Sequence, residues 1–159
     1  MTRTVTVAPV RKSLRVNAPP ATAFDVFTSG IDLWWPKGHH IGTSPMKAAI
    51  IEPFVGGRWY HTCEDGSETN NGRVLHWQPP ERLVLTWQIN GNWQYDPDLV
   101  TEVEVKFIAD GAGATRVEFE HRHLERLGAA AEAFRAQVDP GWGGLLDGFA
   151  KAAEAAAKR

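Results

Sequence analysis

The chain of 159 residues carries a single cysteine, Cys63. One thiol excludes an intrachain disulfide framework and a thiolate metal cage. Charge of one sign is also missing: 17 basic against 19 acidic side chains give a net charge of −2, with no long run of either. Nucleic-acid binding wants a basic stripe and polybasic membrane attachment wants a Lys/Arg cluster, so neither is expected. No run approaches the ~20 apolar residues of a membrane span. Met1 to Val10 lacks the apolar core of a secretion signal, so a cytoplasmic location is the default expectation. The nucleotide-binding and hydrolase signatures Gly-x-Ser-x-Gly, Walker loop and Gly-x-Gly-x-x-Gly are absent, and no catalytic signature stands out in their place.

The composition that remains is 43% hydrophobic and 23% charged, which suits one globular domain over residues 1–159. Val5 to Val16 reads as a strand, ended by Asn17-Ala18-Pro19-Pro20. Ala21 to Phe27 reads as a short helix, with Phe24 and Phe27 on one face. Trp34-Trp35-Pro36 ends a second helical turn. Strands are then expected over Lys47–Glu52, Gly57–Cys63, Gly72–Gln78, Arg82–Ile89, Leu99–Ile108 and Thr115–His123. Turn residues such as Glu64-Asp65-Gly66-Ser67, Asn90-Gly91-Asn92 and Asp110-Gly111-Ala112-Gly113 separate them, so sequential antiparallel hairpins are the natural connection.

Two of these strands alternate clearly. Val103, Val105 and Phe107 face one way, and Glu102, Glu104 and Lys106 the other. Val117, Phe119, His121 and His123 oppose Arg116, Glu118, Glu120 and Arg122. A sheet with one wet and one buried face follows. The period then changes. Asp139-Pro140 reads as a helix start, and Trp142, Leu145, Leu146, Phe149, Ala152, Ala153 and Ala156 form an apolar stripe along it. Leu124 to Val138 is Ala-rich and partly helical. The order β-α-α-β₆-α is that of an α+β fold with no parallel βαβ units.

Several short motifs share an order with one known family. Val10 to Val16 followed by Pro20 and Phe24-Asp25-Val26-Phe27 resembles the opening of START-like (SRPBCC) domains. Gly56-Gly57-Arg58-Trp59-Tyr60, Gly72-Arg73-Val74, Pro79-Pro80-Glu81-Arg82-Leu83 with Thr86-Trp87, Thr101-Glu102-Val103, His121 and Gly141-Trp142 resemble one branch of it. That branch is similar to the C-terminal domain of activators of heat-shock protein 90 ATPase. The resemblance covers nearly the whole chain. It implies a helix-grip fold, in which a curved seven-stranded antiparallel sheet wraps a long C-terminal helix and two short helices follow the first strand. It implies little about function, since members include co-chaperone domains, lipid and hormone binders, and polyketide cyclases.

A small hydrophobic or aromatic ligand, held between sheet and helix, is the leading functional expectation. Its candidate contacts are Trp35, Trp59, His61, Trp87, Phe119, His121, Trp142, Leu146 and Phe149. His61 shares a strand face with Trp59 and Cys63, and His121 lies on the apolar parity of its strand. Each is either a polar contact inside a cavity or a hydrogen-bonded core histidine. The seven tryptophans would line an aromatic pocket or equally well fill it. Gly143, Gly144 and Gly148 destabilise a helix, which is tolerated where a sheet or a ligand must come close. A His-x-His pair with His39-His40 or Glu52 does not make a convincing zinc site, and no metal or other cofactor is expected. Two alternatives stay open: a cyclase- or hydrolase-type enzyme using the cavity histidines, and stimulation of a heat-shock protein 90 partner. Monomer and homodimer are equally compatible with the sequence.

Overall fold

A computed structural model describes residues 7–158. The Met1–Thr6 part of the first strand and of the signal-peptide reading lies outside them. Seven strands form one antiparallel sheet: β1 (Val10–Val16), β2 (Met46–Ile51), β3 (Arg58–Cys63), β4 (Glu68–Gln78), β5 (Arg82–Trp87), β6 (Thr101–Ala109) and β7 (Thr115–Arg122). Their order across the sheet is β1-β7-β6-β5-β4-β3-β2. β1 and β2 are therefore neighbours in sequence and opposite edges in space. The segment between them crosses the open side of the curved sheet, carrying helices α1 (Pro20–Phe27) and α2 (Ile31–Trp34). The last helix, α3 (Ala131–Ala157), lies in the concave face. This is the helix-grip architecture that the resemblance implies.

The expected alternation holds where it was clearest. Val103, Val105, Phe107, Val117 and Phe119 are buried, and the register places Val105 opposite Phe119 and Phe107 opposite Val117. On the outer face Arg122 reaches Glu102 at 2.9 Å, Glu104 at 3.0 Å and Glu120 at 3.4 Å. That cation offsets the repulsion of Glu104 and Glu120, which stand directly opposite one another.

Three expectations need correction. The terminal helix begins at Ala131, so Asp139 and Pro140 lie inside it. A proline there removes the hydrogen bond to the carbonyl of Ala136. Ala136 and Pro140 are both exposed, and water can take that carbonyl, so the helix continues. Asp139 pairs with Lys12 and Arg135 and does not cap. Second, β4 starts at Glu68 rather than Gly72, because Glu68–Asn70 pair with β3 despite the weak strand propensity of Glu68 and Asn70. Third, His123 is not on the strand. It adopts a left-handed backbone, φ 66°, and opens the 3₁₀ segment Leu124–Ala130. β1 starts only at Val10, with Val7–Pro9 outside the strand, and the other strand ends move by one or two residues.

The glycines of α3 divide. A Cβ at Gly148 would sit 3.5 Å from the Trp34 carbonyl oxygen, in ordinary contact, while at Gly141, Gly143 and Gly144 it would meet nothing within 4 Å. Close helix–sheet packing therefore accounts for none of those three.

Candidate functional site

The buried face of α3 presents Phe134, Val138, Trp142, Leu145, Leu146, Phe149 and Ala153 to the sheet. At one end the packing is solid. Phe149 meets Phe27 at 5.1 Å and Trp34 at 5.6 Å between ring centroids. Toward the other end, helix and sheet part around a cavity of about 340 Å³, large enough for a small organic molecule. Its walls are Trp35, Trp87, Trp93 and Trp142, with Ile41, Ile89, Val138 and Leu145; Gly141 contributes bare backbone, and His39 and His40 border it. The indoles are held edge to face: Trp87 lies 5.6 Å from Trp142, and Trp35 6.1 Å from it. Trp35 is fixed by its N–H, which donates to the His39 carbonyl at 2.7 Å.

Of the residues expected at the site, Trp35, His61, Trp87 and Trp142 line this cavity. Trp59, Phe119, His121, Leu146 and Phe149 are buried in the surrounding core and are not among the lining residues.

The two buried histidines differ in one respect that matters. His121 is fully committed. The Trp142 indole N–H donates to its Nδ1 at 3.2 Å. An indole can only donate, so Nδ1 carries no proton and Nε2 must. Nε2–H then donates to Thr101 Oγ1 at 2.8 Å, and the Thr101 hydroxyl donates to the Trp87 carbonyl at 2.8 Å. Burial pushes the His121 pKa down to about 3. It is a neutral strut that orients Trp142.

His61 is half committed. Its Nε2 meets the Asn71 Nδ2 at 3.1 Å. Its Nδ1 and the Asn71 Oδ1 have no partner among the described residues. Both side chains are 1% exposed, and both residues line the cavity. Burial, reinforced by the charge of His40, lowers the His61 pKa to about 4 against a smaller opposing effect of Asp32. The imidazole is therefore neutral at pH 7. The Trp87 indole N–H, at the same cavity, also lacks a partner among the described residues, as do Trp59 Nε1 and Thr69 Oγ1 outside the lining. Unpaired groups at this depth are uncommon and mark where a ligand or water belongs.

Asn71 was not foreseen. It faces inward at a β-bulge, two residues after Thr69, which pairs with His61. Tyr60 pairs with Asn70 and Trp59 with Gly72, leaving Asn71 as the extra residue. Gly72 makes this possible, since a Cβ there would lie 1.9 Å from the Thr86 carbonyl oxygen. The visible signal was an isolated glycine after two asparagines inside a strand pattern.

Among the described residues no three His, Cys, Asp or Glu side chains gather as metal ligands. Glu52 instead accepts the Arg58 backbone N–H at 2.6 Å. No helix among those residues is long and apolar enough to cross a membrane.

Residues 17–154 match the family described as Activator of Hsp90 ATPase homolog 1-like protein. The curated proteins contain no match. Among solved structures, an anthrahydroquino-γ-pyrone synthase, Txn09, is 42% identical, with a TM-score of 0.66 over 92% of this chain and 97% of that one. A self-sacrificing resistance protein, CalC from Micromonospora echinospora, is 36% identical, with a TM-score of 0.71 over 95% and 97%. The Aha1 dimer from Colwellia psychrerythraea shares the fold at 17% identity, with a TM-score of 0.62 over 93% and 97%.

Proposed function

The chain belongs to the Activator of Hsp90 ATPase homolog 1-like family, and from that premise we propose that it binds a flat aromatic small molecule between the sheet and the C-terminal helix. The observation that carries this is the cavity of about 340 Å³ walled by four indoles. Offset and edge contacts with indoles favour planar rings, and the apolar lining supplies most of the affinity. The 42%-identical relative is named for making a pyrone fused to an anthrahydroquinone, which is a planar oxygenated polycycle. Anthraquinone is a suitable probe, because a quinone in contact with Trp35, Trp87 or Trp142 quenches their fluorescence. Saturable quenching by the wild type is expected, together with its loss in Gly141→Leu, whose added side chain fills the cavity. Unsaturable quenching, equal in both proteins, would refute the proposal.

A specific observation favours a second reading, ring closure. His61 is buried, neutral and has an uncommitted ring nitrogen at the cavity. With the Asn71 amide turned so that its oxygen accepts from His61 Nε2–H, Nδ1 carries the lone pair and can accept the proton of a ligand hydroxyl as that oxygen adds to a carbonyl carbon within the same molecule. The O–H bond and the carbonyl π bond break as the C–O bond forms, and the proton passes through His61 to the carbonyl oxygen to give a hemiketal; the hydroxyl so formed then takes a proton from the adjacent methylene and leaves as water while the ring C=C bond forms. 2-Hydroxydibenzoylmethane, which closes in this way to a γ-pyrone (flavone), is the test substrate. Acceleration by the wild type and not by His61→Phe supports the reading. Equal rates with either protein or with buffer alone would refute it.

A further inference from the structure

We propose that Asn71 and His61 form a hydroxyl-reading pair, so that the cavity selects phenolic or enolic ligands over the corresponding ethers and hydrocarbons. The inference rests on the aromatic-ligand reading of the same cavity and adds the functional group the ligand must carry.

Hydrogen-bond accounting supports it whichever way the two side chains are oriented. If the Asn71 amide N–H donates to His61 Nε2, the His61 proton sits on Nδ1. One donor, Nδ1–H, and one acceptor, the Asn71 carbonyl oxygen, are left over. If the amide is turned so that its oxygen accepts from Nε2–H, then Nδ1 becomes the spare acceptor and the amide N–H₂ the spare donor. In both states the pair has at least one donor and one acceptor to give. A hydroxyl group is both in a single atom centre. An ether or ketone oxygen accepts only, and leaves the spare acceptor buried and unmet.

Three features separate this pair from incidental core polarity. Both side chains are 1% exposed, and their spare atoms have no partner among the described residues. Both residues line the cavity. The third is the bulge. The extra residue leaves both Asn71 and Gly72 buried, where a regular strand would bury only one of two successive residues, and Asn71 follows Thr69, which pairs with His61, by two positions. The bulge is pinned on both sides: the Gln88 backbone N–H donates to the Asn71 carbonyl at 2.7 Å, and the Arg73 N–H donates to Thr86 Oγ1 at 2.7 Å. His121, the other buried histidine, shows the contrast, since every polar atom of its ring is already used by the protein.

The test is a binding series on the intact chain with naphthalene, 2-methoxynaphthalene and 2-naphthol, followed by tryptophan fluorescence and calorimetry. These share one ring system and differ in hydrogen bonding. The wild type should bind 2-naphthol about tenfold or more tighter than the other two, the size of effect that an unmet buried polar group produces. Asn71→Leu should retain naphthalene binding and lose most of the preference for the naphthol. If naphthalene binds and the naphthol binds no tighter, the hydroxyl-reading pair is overturned while the aromatic cavity stands. If none of the three binds, the cavity reading itself falls. The wild-type series decides the matter even if Asn71→Leu does not fold.

Discussion

Lowering the pH from 8 to 5 should destabilise this protein by about 4 kcal/mol through two residues alone. His61 and His121 are 1% and 0% exposed, and burial holds their folded-state pKa values at about 4 and about 3. In the unfolded chain both return to about 6.5. A group whose folded pKa is lowered contributes stability that is complete above the unfolded value and declines as the pH falls toward the folded one. At pH 5 each unfolded histidine is protonated by about 1.5 pH units of driving force, and at ~1.36 kcal/mol per unit this is about 2 kcal/mol apiece. Domains of this kind have about 5–15 kcal/mol in total, so the effect is large. The geometry gives an independent reason for His121. Protonating Nδ1 would place a proton against the Trp142 N–H that now donates to it.

Urea unfolding at pH 8 and pH 5, on wild type and His121→Gln, measures the contribution. Glutamine can still accept and donate but does not titrate. Carboxylates also titrate on the acid side, and they cancel in the comparison of the two proteins. The loss in unfolding free energy between the two pH values should be about 2 kcal/mol smaller in the variant. A variant whose loss equals that of the wild type would show that His121 titrates in the fold as it does in the unfolded chain, and would refute the neutral-strut assignment.

Three further substitutions have defined outcomes. Gly72→Ala should cost about 2–4 kcal/mol in urea unfolding, because the new Cβ would lie 1.9 Å from the Thr86 carbonyl oxygen and must push β4 from β5. Gly144→Ala should instead raise stability by about 0.5–1 kcal/mol, since the position is exposed, its Cβ meets nothing within 4 Å and helical alanine is preferred over glycine; a melting curve suffices. Arg122→Gln should lower stability by about 1–2 kcal/mol, with part of the loss recovered in high salt, because Glu102, Glu104 and Glu120 lose the cation they share.

The parts of the fold that sequence periodicity conveys are those where burial alone decides the residue. Val103 to Phe107 and Val117 to Phe119 alternate because one face is dry, and Trp142 to Phe149 step at helical spacing for the same reason. Asp139-Pro140 misled because its local chemistry is that of a helix start, while the exposed Ala136 and Pro140 let the helix run through it. The Asn71 position was hidden for a different reason. Side-chain direction in a strand follows a period of two only while the ladder is regular. One unpaired residue breaks it, so that Asn71 and Gly72 are both buried, and only the pairing of Tyr60 with Asn70 and Trp59 with Gly72 shows where that residue is.

The two inward histidines make the general point. Sequence parity places His61 and His121 equivalently, each on the apolar face of its strand, and the structure buries them equally. Their chemistry nevertheless diverges through a single neighbour each. His121 meets an indole N–H, which can only donate, so its tautomer is dictated and its second nitrogen is absorbed by Thr101. His61 meets an amide, which can donate or accept. The amide leaves the tautomer free and one atom on each partner unspent. A histidine satisfied by a one-way donor becomes scaffold. The same residue beside a reversible partner retains the capacity to bind or move a proton. Whether an inward histidine is structural or functional is therefore decided less by its burial than by the hydrogen-bonding valence of the side chain facing it, and in this fold that side chain, Asn71, sits at the bulge of β4 against β3.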